Sequence, residues 1–168
     1  AGELAGLMEK DLDFENHLVH VRRTLYRGSY QPPKTPKSVR SIDMPPTLER
    51  MLLEWLPSPE RPKTRDQLVF PSARGMPLNM QQITKTVYLP ALEEAGVPKM
   101  RLHDLRHTYA SLLIANGESL KYVQEMLGHT SIKVTADVYG HLLKETNAEA
   151  ARRLDRAVFG PDGGPKAG

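Results

Sequence analysis

No cysteine occurs in the 168 residues. That excludes a disulfide framework, thiolate catalysis and Cys-based zinc sites, and it fits a reducing cytoplasm. No apolar run approaches the roughly 20 residues a membrane-spanning helix needs. No basic segment followed by an apolar stretch stands at the start, so no secretory signal is visible. A fourth absence is local. Between Asn16 and Ile42 there is no acid at all, whereas Arg22, Arg23, Arg27, Lys34, Lys37 and Arg40 all fall there. The acids cluster just upstream, at Glu9, Asp11, Asp13 and Glu15. Net charge is only +3, so the distribution carries the signal and the total does not. A segregated basic stretch is either a solvated hairpin or the electrostatic footprint of a phosphate-rich ligand.

What is present fits one globular domain. Hydrophobic residues make up 39% and charged residues 26%, too apolar for a disordered chain. The length matches about one domain at roughly 150 residues each. The start (GELAGLM) reads as helix. Leu12 to Phe14, Leu18 to Leu25 and Val39 to Met44 read as short strands, joined across a proline-rich irregular stretch, GSYQPPKTPK, that carries Lys34 and Lys37. Thr47 is expected to cap a helix to Trp55 with Leu48, Met51, Leu52 and Trp55 on one face. Leu68 to Phe70 is a further candidate strand, and Asn79 is expected to cap a helix to Ala95. Beyond residue 100 the pattern is helical. Leu105, Tyr109, Leu112 and Leu113 form one stripe closed by Gly117. Leu120, Val123 and Leu127 form another, capped by Ser119 and ended by Gly128. A short helix follows Thr130, and another starts near Tyr139 and runs to about Val158. The expected class is α+β, mostly α, with a small antiparallel sheet near the N-terminus packed on a helical bundle, and a disordered tail over 160–168.

Chemistry concentrates in HDLRHTYASLLIANGESLKYVQEMLGHTSIKVTADVYGHL. His103 and Arg106 are three apart at a helix start and project from one face. The helix N-terminus adds positive potential there. His129 follows Gly128 just past a helix end, and Tyr139 lies ten residues later. An Arg fork, histidines and a lysine are what a site needs to bind a phosphodiester and move protons around it. Each residue also has a plain structural use. His107 reads as a packed or solvated histidine outside the catalytic set, and Tyr109 and Tyr122 as packing residues.

Taken together, the segment resembles the C-terminal box of the tyrosine recombinases, the phage integrases and their transposon relatives. His103-Asp104-Leu105-Arg106-His107, Leu127-Gly128-His129 and Tyr139-Gly140-His141 stand in that family's order and spacing. KDLDFENHLVHVRRTLYRG and PPKTPKSVRSIDMP are similar to its β-hairpin, whose turn holds a catalytic lysine. Lys34 matches that lysine, with Lys37 as the alternative. The likeness covers roughly residues 1 to 157 and implies a catalytic domain over 1–159 without the helical DNA-clamping domain that precedes it in the family.

The resemblance implies metal- and ATP-independent DNA strand cleavage and rejoining for site-specific recombination and integration, with no cofactor. Tyr139 would attack a scissile phosphate to give a 3′-phosphotyrosyl bond, with Arg106, His103, His129 and Lys34 as the other catalytic residues. Arg22, Arg23, Arg27, Lys37 and Arg40 would meet the DNA backbone. Double-stranded DNA is the implied partner, with a tetramer on paired sites for the parent protein, a monomer for this chain alone, and a cytoplasmic, nucleoid-associated location. One departure stands out. The family's first catalytic arginine, in T-G-x-R-x-G-E, would precede Ala1-Gly2-Glu3, so this chain alone is expected to be weak or inactive. Three rivals differ in chemistry. A type IB topoisomerase typically has a lysine where His103 stands and no L-G-H box. A metal-dependent phosphohydrolase would use His103, Asp104 and His107, but it lacks further ligands at helpful spacing. A non-catalytic DNA-binding module would have no reason to carry the whole set.

Overall fold

The computed structural model describes residues 1–32 and 38–160, and for residues 144–149 the backbone only. Lys34, Lys37 and all of the expected tail beyond Gly160 lie outside the described residues. Two compact units follow one another along the chain, Ala1–Arg106 and a second that starts at His107.

The first unit opens with α1 (Gly2–Ala5) and a tight helical turn at Glu9–Asp11. Strands β1 (Leu12–Asp13), β2 (Leu18–Val21) and β5 (Arg40–Asp43) form an antiparallel sheet in the order β1-β2-β5. Val19 lies opposite Leu12 on one side and Ile42 on the other. The strand expected over Leu18 to Leu25 is in fact two. The chain leaves this sheet at Arg22 and re-forms as β3 (Thr24–Tyr26), which makes a separate hairpin with β4 (Ser29–Gln31). The turn is Arg27-Gly28, with φ of 47° and 79°. Positive φ at both central residues gives the turn a twist that matches its strands. Gly28 adopts it without a Cβ penalty. Ser29–Gln31, expected to be irregular, is therefore strand.

Helix α2 (Pro46–Trp55) begins one residue before the expected Thr47 cap. Pro45 is its cap residue, and Pro46 sits in the first turn, where a fixed φ and a missing N–H cost nothing. Of its predicted apolar face, Leu52 is buried, while Leu48 and Met51 stay exposed. Leu52 packs with Leu12, Met44 and Val69, surrounded by Phe14, Val19, Trp55 and Phe70. Residues Leu68 to Phe70 form no strand. A single bridge joins Leu68 to Met8, and Trp55 Nε1 donates to the Val69 carbonyl at 2.7 Å. Asn79 caps as expected, its Oδ1 accepting from the amides of Gln81 and Gln82. The helix behind it is not uniform. A wider π turn (Thr84–Tyr88) separates α3 (Met80–Ile83) from α4 (Leu89–Glu94). Pro90 gives the reason: it has no amide to donate, and in a regular α-helix its ring would strike the carbonyl four residues back.

Charged side chains hold this unit together. Asp11, 1% exposed, takes the Arg23 guanidinium fork and also accepts from the Met8 amide at 2.9 Å. Arg61 donates to Glu9 and to the carbonyls of Leu56 and Leu68.

The second unit is helical: most of α5 (Asp104–Ala115), then α6 (Leu120–Leu127), α7 (Ile132–Tyr139) and α8 (Leu143–Phe159). Its core is Ala110, Ile114, Val123, Leu127 and Tyr139, with Tyr109, Leu113, Leu142 and Leu143 packed around it. The predicted stripe on α5 is rotated. Leu105 and Leu112 are exposed, and the buried line is Ala110 and Ile114. This helix is apolar on more than one face, so periodicity alone does not choose between them. Tyr139 ends α7 instead of starting a helix; a tight turn over Gly140–Leu142 leads into α8. Among the described residues no helix is long and apolar enough to cross a membrane.

Truncating the buried Asp11 leaves the half-buried Arg23 charge without its carboxylate. Asp11→Ala is expected to cost about 3–5 kcal/mol in a chemical denaturation curve, whereas Glu15→Ala on the exposed turn is expected to fall within about 0.5 kcal/mol of wild type.

Candidate active site

In the first unit the site residues stand on the turn into α5. The Asp104 carboxylate caps that turn, accepting from the Arg101 amide at 2.8 Å and from its guanidinium at 2.8 Å. An acid in the first turn also suits the helix dipole. His103 is the last residue before the helix and is exposed; its carbonyl accepts from the Arg106 amide at 3.0 Å. Arg106 is half-buried. Asp104 is thus a capping group, held by Arg101. Among the described residues no three His, Asp or Glu side chains gather in a way that would hold a metal ion.

The basic stretch divides. Arg22 and Arg27 are exposed, with Arg27 lying 5.4 Å over the Tyr26 ring. Arg23 and Arg40 instead turn inward, Arg23 to Asp11 and Arg40 to Glu3 through two bonds of 2.9 Å. Burial raises the Glu3 carboxyl, but the bonds and charge of Arg40, with a further contribution from the charge of Arg106, outweigh it and hold the carboxyl below its ordinary range. Tyr30 donates to the Asp66 carboxylate at 3.0 Å. Burial and that neighbouring negative charge push its hydroxyl up to about 12.

The second unit builds the L-G-H corner. Leu127 is buried and anchors the end of α6. Gly128 takes the left-handed conformation, φ 67° and ψ 34°. Its amide reaches the Glu125 carbonyl at 3.0 Å, and the His129 amide reaches the Gln124 carbonyl at 3.1 Å. Those two bonds are the paired closure by which glycine ends a helix and turns the chain. Gln124, itself buried, donates Nε2 to the His129 carbonyl at 2.8 Å. His129 Nδ1 is hydrogen-bonded to Thr135 Oγ1 at 2.9 Å, and Thr135 is fully buried on α7. Backbone and ring are both held. At the far end of α7, Tyr139 is 3% exposed, and its hydroxyl is hydrogen-bonded to Nδ1 of His107 at 2.8 Å. The rings lie 5.8 Å apart and tilted by 51°.

A sequence profile described as "Phage integrase family" matches residues 1–146. The chain belongs to the phage integrase family. A "Tyrosine recombinase XerC-like" protein of Caldanaerobacter subterraneus subsp. tengcongensis is 32% identical over 92% of the chain and 45% of its own length. The integrase of transposon Tn1549, solved in complex with a circular intermediate DNA, matches with a TM-score of 0.69 and 28% identity, over 90% of this chain and 54% of that one. The XerH site-specific recombinase, solved bound to a palindromic difH substrate in a post-cleavage complex, matches at 0.65 and 28%, over 90% and 40%. The chain spans about half the length of the relatives it matches, or less. The expected α+β, mostly α fold is the fold of these integrase and recombinase structures.

Of the predicted residues, then, His129 and Tyr139 stand in the second unit and His103, Arg106, Arg22, Arg23, Arg27 and Arg40 in the first; Lys34 and Lys37 lie outside the described residues. Three side chains went unread in the sequence. Gln124 and Thr135 fix His129, and His107, read as a packed or solvated histidine outside the catalytic set, is hydrogen-bonded to the Tyr139 hydroxyl. Nothing local marks a contact between residues 32 positions apart.

Two outcomes are expected. Gly128→Ala places a Cβ in the left-handed region at a cost of roughly 1–2 kcal/mol, read as a lower midpoint in thermal unfolding. Because Glu3 is depressed in the folded state, its contribution is fully present above the ordinary carboxyl range and is lost as pH falls through the lowered value. A Glu3→Gln variant is expected to show a flatter fall of stability across that acid window in pH-dependent denaturation.

Proposed function

We propose that this chain is the catalytic domain, residues 1–159, of a tyrosine-type site-specific recombinase, and that it cleaves and rejoins double-stranded DNA through a 3′-phosphotyrosyl intermediate. The observation that carries the reading is that one helix serves two site residues of the family's box. Helix α7 supplies Thr135, which orients His129, and ends on Tyr139.

The chemistry follows from the side chains. Oη of Tyr139 attacks the scissile phosphorus, and the bond to the 5′-oxygen breaks. A phenol has an ordinary pKa near 10, so it needs a proton acceptor or a strongly cationic setting, and His103 receives the proton. Arg106 offers its fork to the non-bridging oxygens, with His129 donating beside it as negative charge builds. The departing 5′-oxygen takes a proton from Lys34. One phosphodiester replaces another, so the bond energy is conserved and the reverse attack rejoins the strand without ATP. Arg22 and Arg27, exposed on and beside the hairpin, meet the DNA backbone, while Arg23 and Arg40 shape the unit that presents them. Recombination takes four such subunits on two paired sites, and the place of action is the cytoplasm.

The deciding experiment traps the covalent adduct on nicked DNA from the region flanking the gene, in the presence of EDTA. An adduct is expected from the chain lengthened upstream to include the family's first arginine and none from the same protein carrying Tyr139→Phe, while the 168 residues alone are expected to give little or none. Arg106→Ala is expected to slow its formation by about 10²–10³. An adduct that persists in Tyr139→Phe, or one that a chelator abolishes, overturns the reading.

A further inference from the structure

Of the two arginines of the basic stretch that turn inward, Arg40 has the less usual partner. Arg23 meets an acid that is itself buried, Asp11 at 1% exposure. Arg40 is the buried member of its own pair, at 9%, while the Glu3 side chain it holds is 40% exposed. The pair satisfies the charge of Arg40; it also acts on Glu3. That carboxylate stands in the first turn of α1. The helix lies directly against β3, because a Cβ added at Gly2 would strike Thr24 Oγ1 and the Leu25 carbonyl. Glu3 is therefore carried on closely packed backbone. Three positive charges act on it: Arg40, Arg106 and the Ala1 amine. In the mechanism above, Arg106 offers its fork to the scissile phosphate. An ionised carboxylate in the field of that guanidinium competes with the phosphate, since both present paired oxygens to an arginine fork. Arg40 occupies the competitor. Its Nη1 and Nη2 each donate to one Glu3 oxygen at 2.9 Å, so both oxygens are engaged. Nη1 also donates to the Ser38 carbonyl at 3.2 Å, which ties the guanidinium to its own strand.

We propose that Arg40 is a positioning residue that masks Glu3: by closing its fork on that carboxylate it keeps Glu3 from pairing with Arg106, whose guanidinium stays available to the scissile phosphate. The proposal deepens the recombinase reading above and rests on it for its consequence, though not for the pairing itself. Arg40 touches no DNA in this account. Its charge serves the site from one residue away, by cancelling an acid that the first turn of α1 brings into the field of Arg106.

The test is a charge rescue in the adduct assay, run on the protein lengthened upstream. Arg40→Met removes the charge and the fork, and is expected to slow adduct formation about tenfold, the scale of one uncompensated charge near a protein surface. Adding Glu3→Gln leaves nothing to mask and is expected to restore most of the rate. Both variants lose the Ser38 bond, and both would lose any contact of Arg40 with DNA, so only the mask distinguishes them. A double variant as slow as Arg40→Met overturns the proposal. Arg40→Lys keeps a cation on Glu3 and is expected to lie nearer wild type than Arg40→Met; equal rates for the two overturn it as well. If a denaturation curve shows Arg40→Met unfolded, the same rescue is read on Arg40→Lys, with and without Glu3→Gln. The pairing is also read without DNA, from the Arg106 Nε–H signal in ¹H–¹⁵N spectra of the 168-residue chain. Arg40→Met is expected to shift that signal and slow its exchange with water as Glu3 takes Arg106, and Glu3→Gln is expected to reverse both. An Arg106 signal indifferent to both changes overturns the proposal whatever the adduct assay gives. If the lengthened protein forms no Tyr139-dependent adduct, the recombinase reading falls and the Arg106 signal alone decides the pairing.

Discussion

Gly128 sits in a region of backbone space where any other residue crowds its own Cβ, and the second unit is organised from that turn. The paired closure on the carbonyls of Gln124 and Glu125 reverses the chain within two residues. It therefore sets where His129 leaves α6 and how α7 returns. Thr135 can meet the His129 ring only because the reversal is this tight, and Tyr139 is buried against Leu127 only because α7 returns over α6's own end. A looser connection would spread both side chains over many arrangements, and ordering them would then fall on the ligand.

The first unit solves a different problem. Its most basic stretch carries no acid of its own, so the chain neutralises part of it from outside. Asp11 takes Arg23, and Glu3 takes Arg40. Pairing a buried charge is a condition of burying it at all. The two carboxylates accordingly fold the helical N-terminus onto the strands. What remains outward is Arg22 and Arg27, with Arg27 at the tip of a two-residue turn. Linear charge density overstated the cationic surface, because it cannot see which guanidinium turns inward.

Features that depend on one residue's own backbone preference could be read from the sequence. Asn79, Ser119, Gly117 and Gly128 cap or end helices where expected, since capping is a property of the residue and its next few amides. Features that depend on competition could not. The break at Arg22 and Arg23 follows from Asp11, twelve residues away. The hairpin turns on Arg-Gly, outside the usual Asn-Gly and Asp-Gly signatures. Leu105 and Leu112 lost their place in the core to Ala110 and Ile114 because the neighbouring helices, and not the period, choose among apolar faces. The site divides in the same way. The order of His103, Arg106, His129 and Tyr139 is legible as a motif; the groups that hold their rings are scattered, and each has an ordinary use elsewhere.

Helix α7 acts as a ruler. Thr135 and Tyr139 are four residues apart on it, about 6 Å along its axis at 1.5 Å per residue. Losing one residue between them would draw the phenol back by about 1.5 Å and swing it by about 100°, while the other end of the helix stayed clamped to His129. A change of side chain inside α7 can be absorbed by repacking, but a change of length cannot. The count of residues between the glycine corner and the tyrosine is thus a mechanical dimension of the protein.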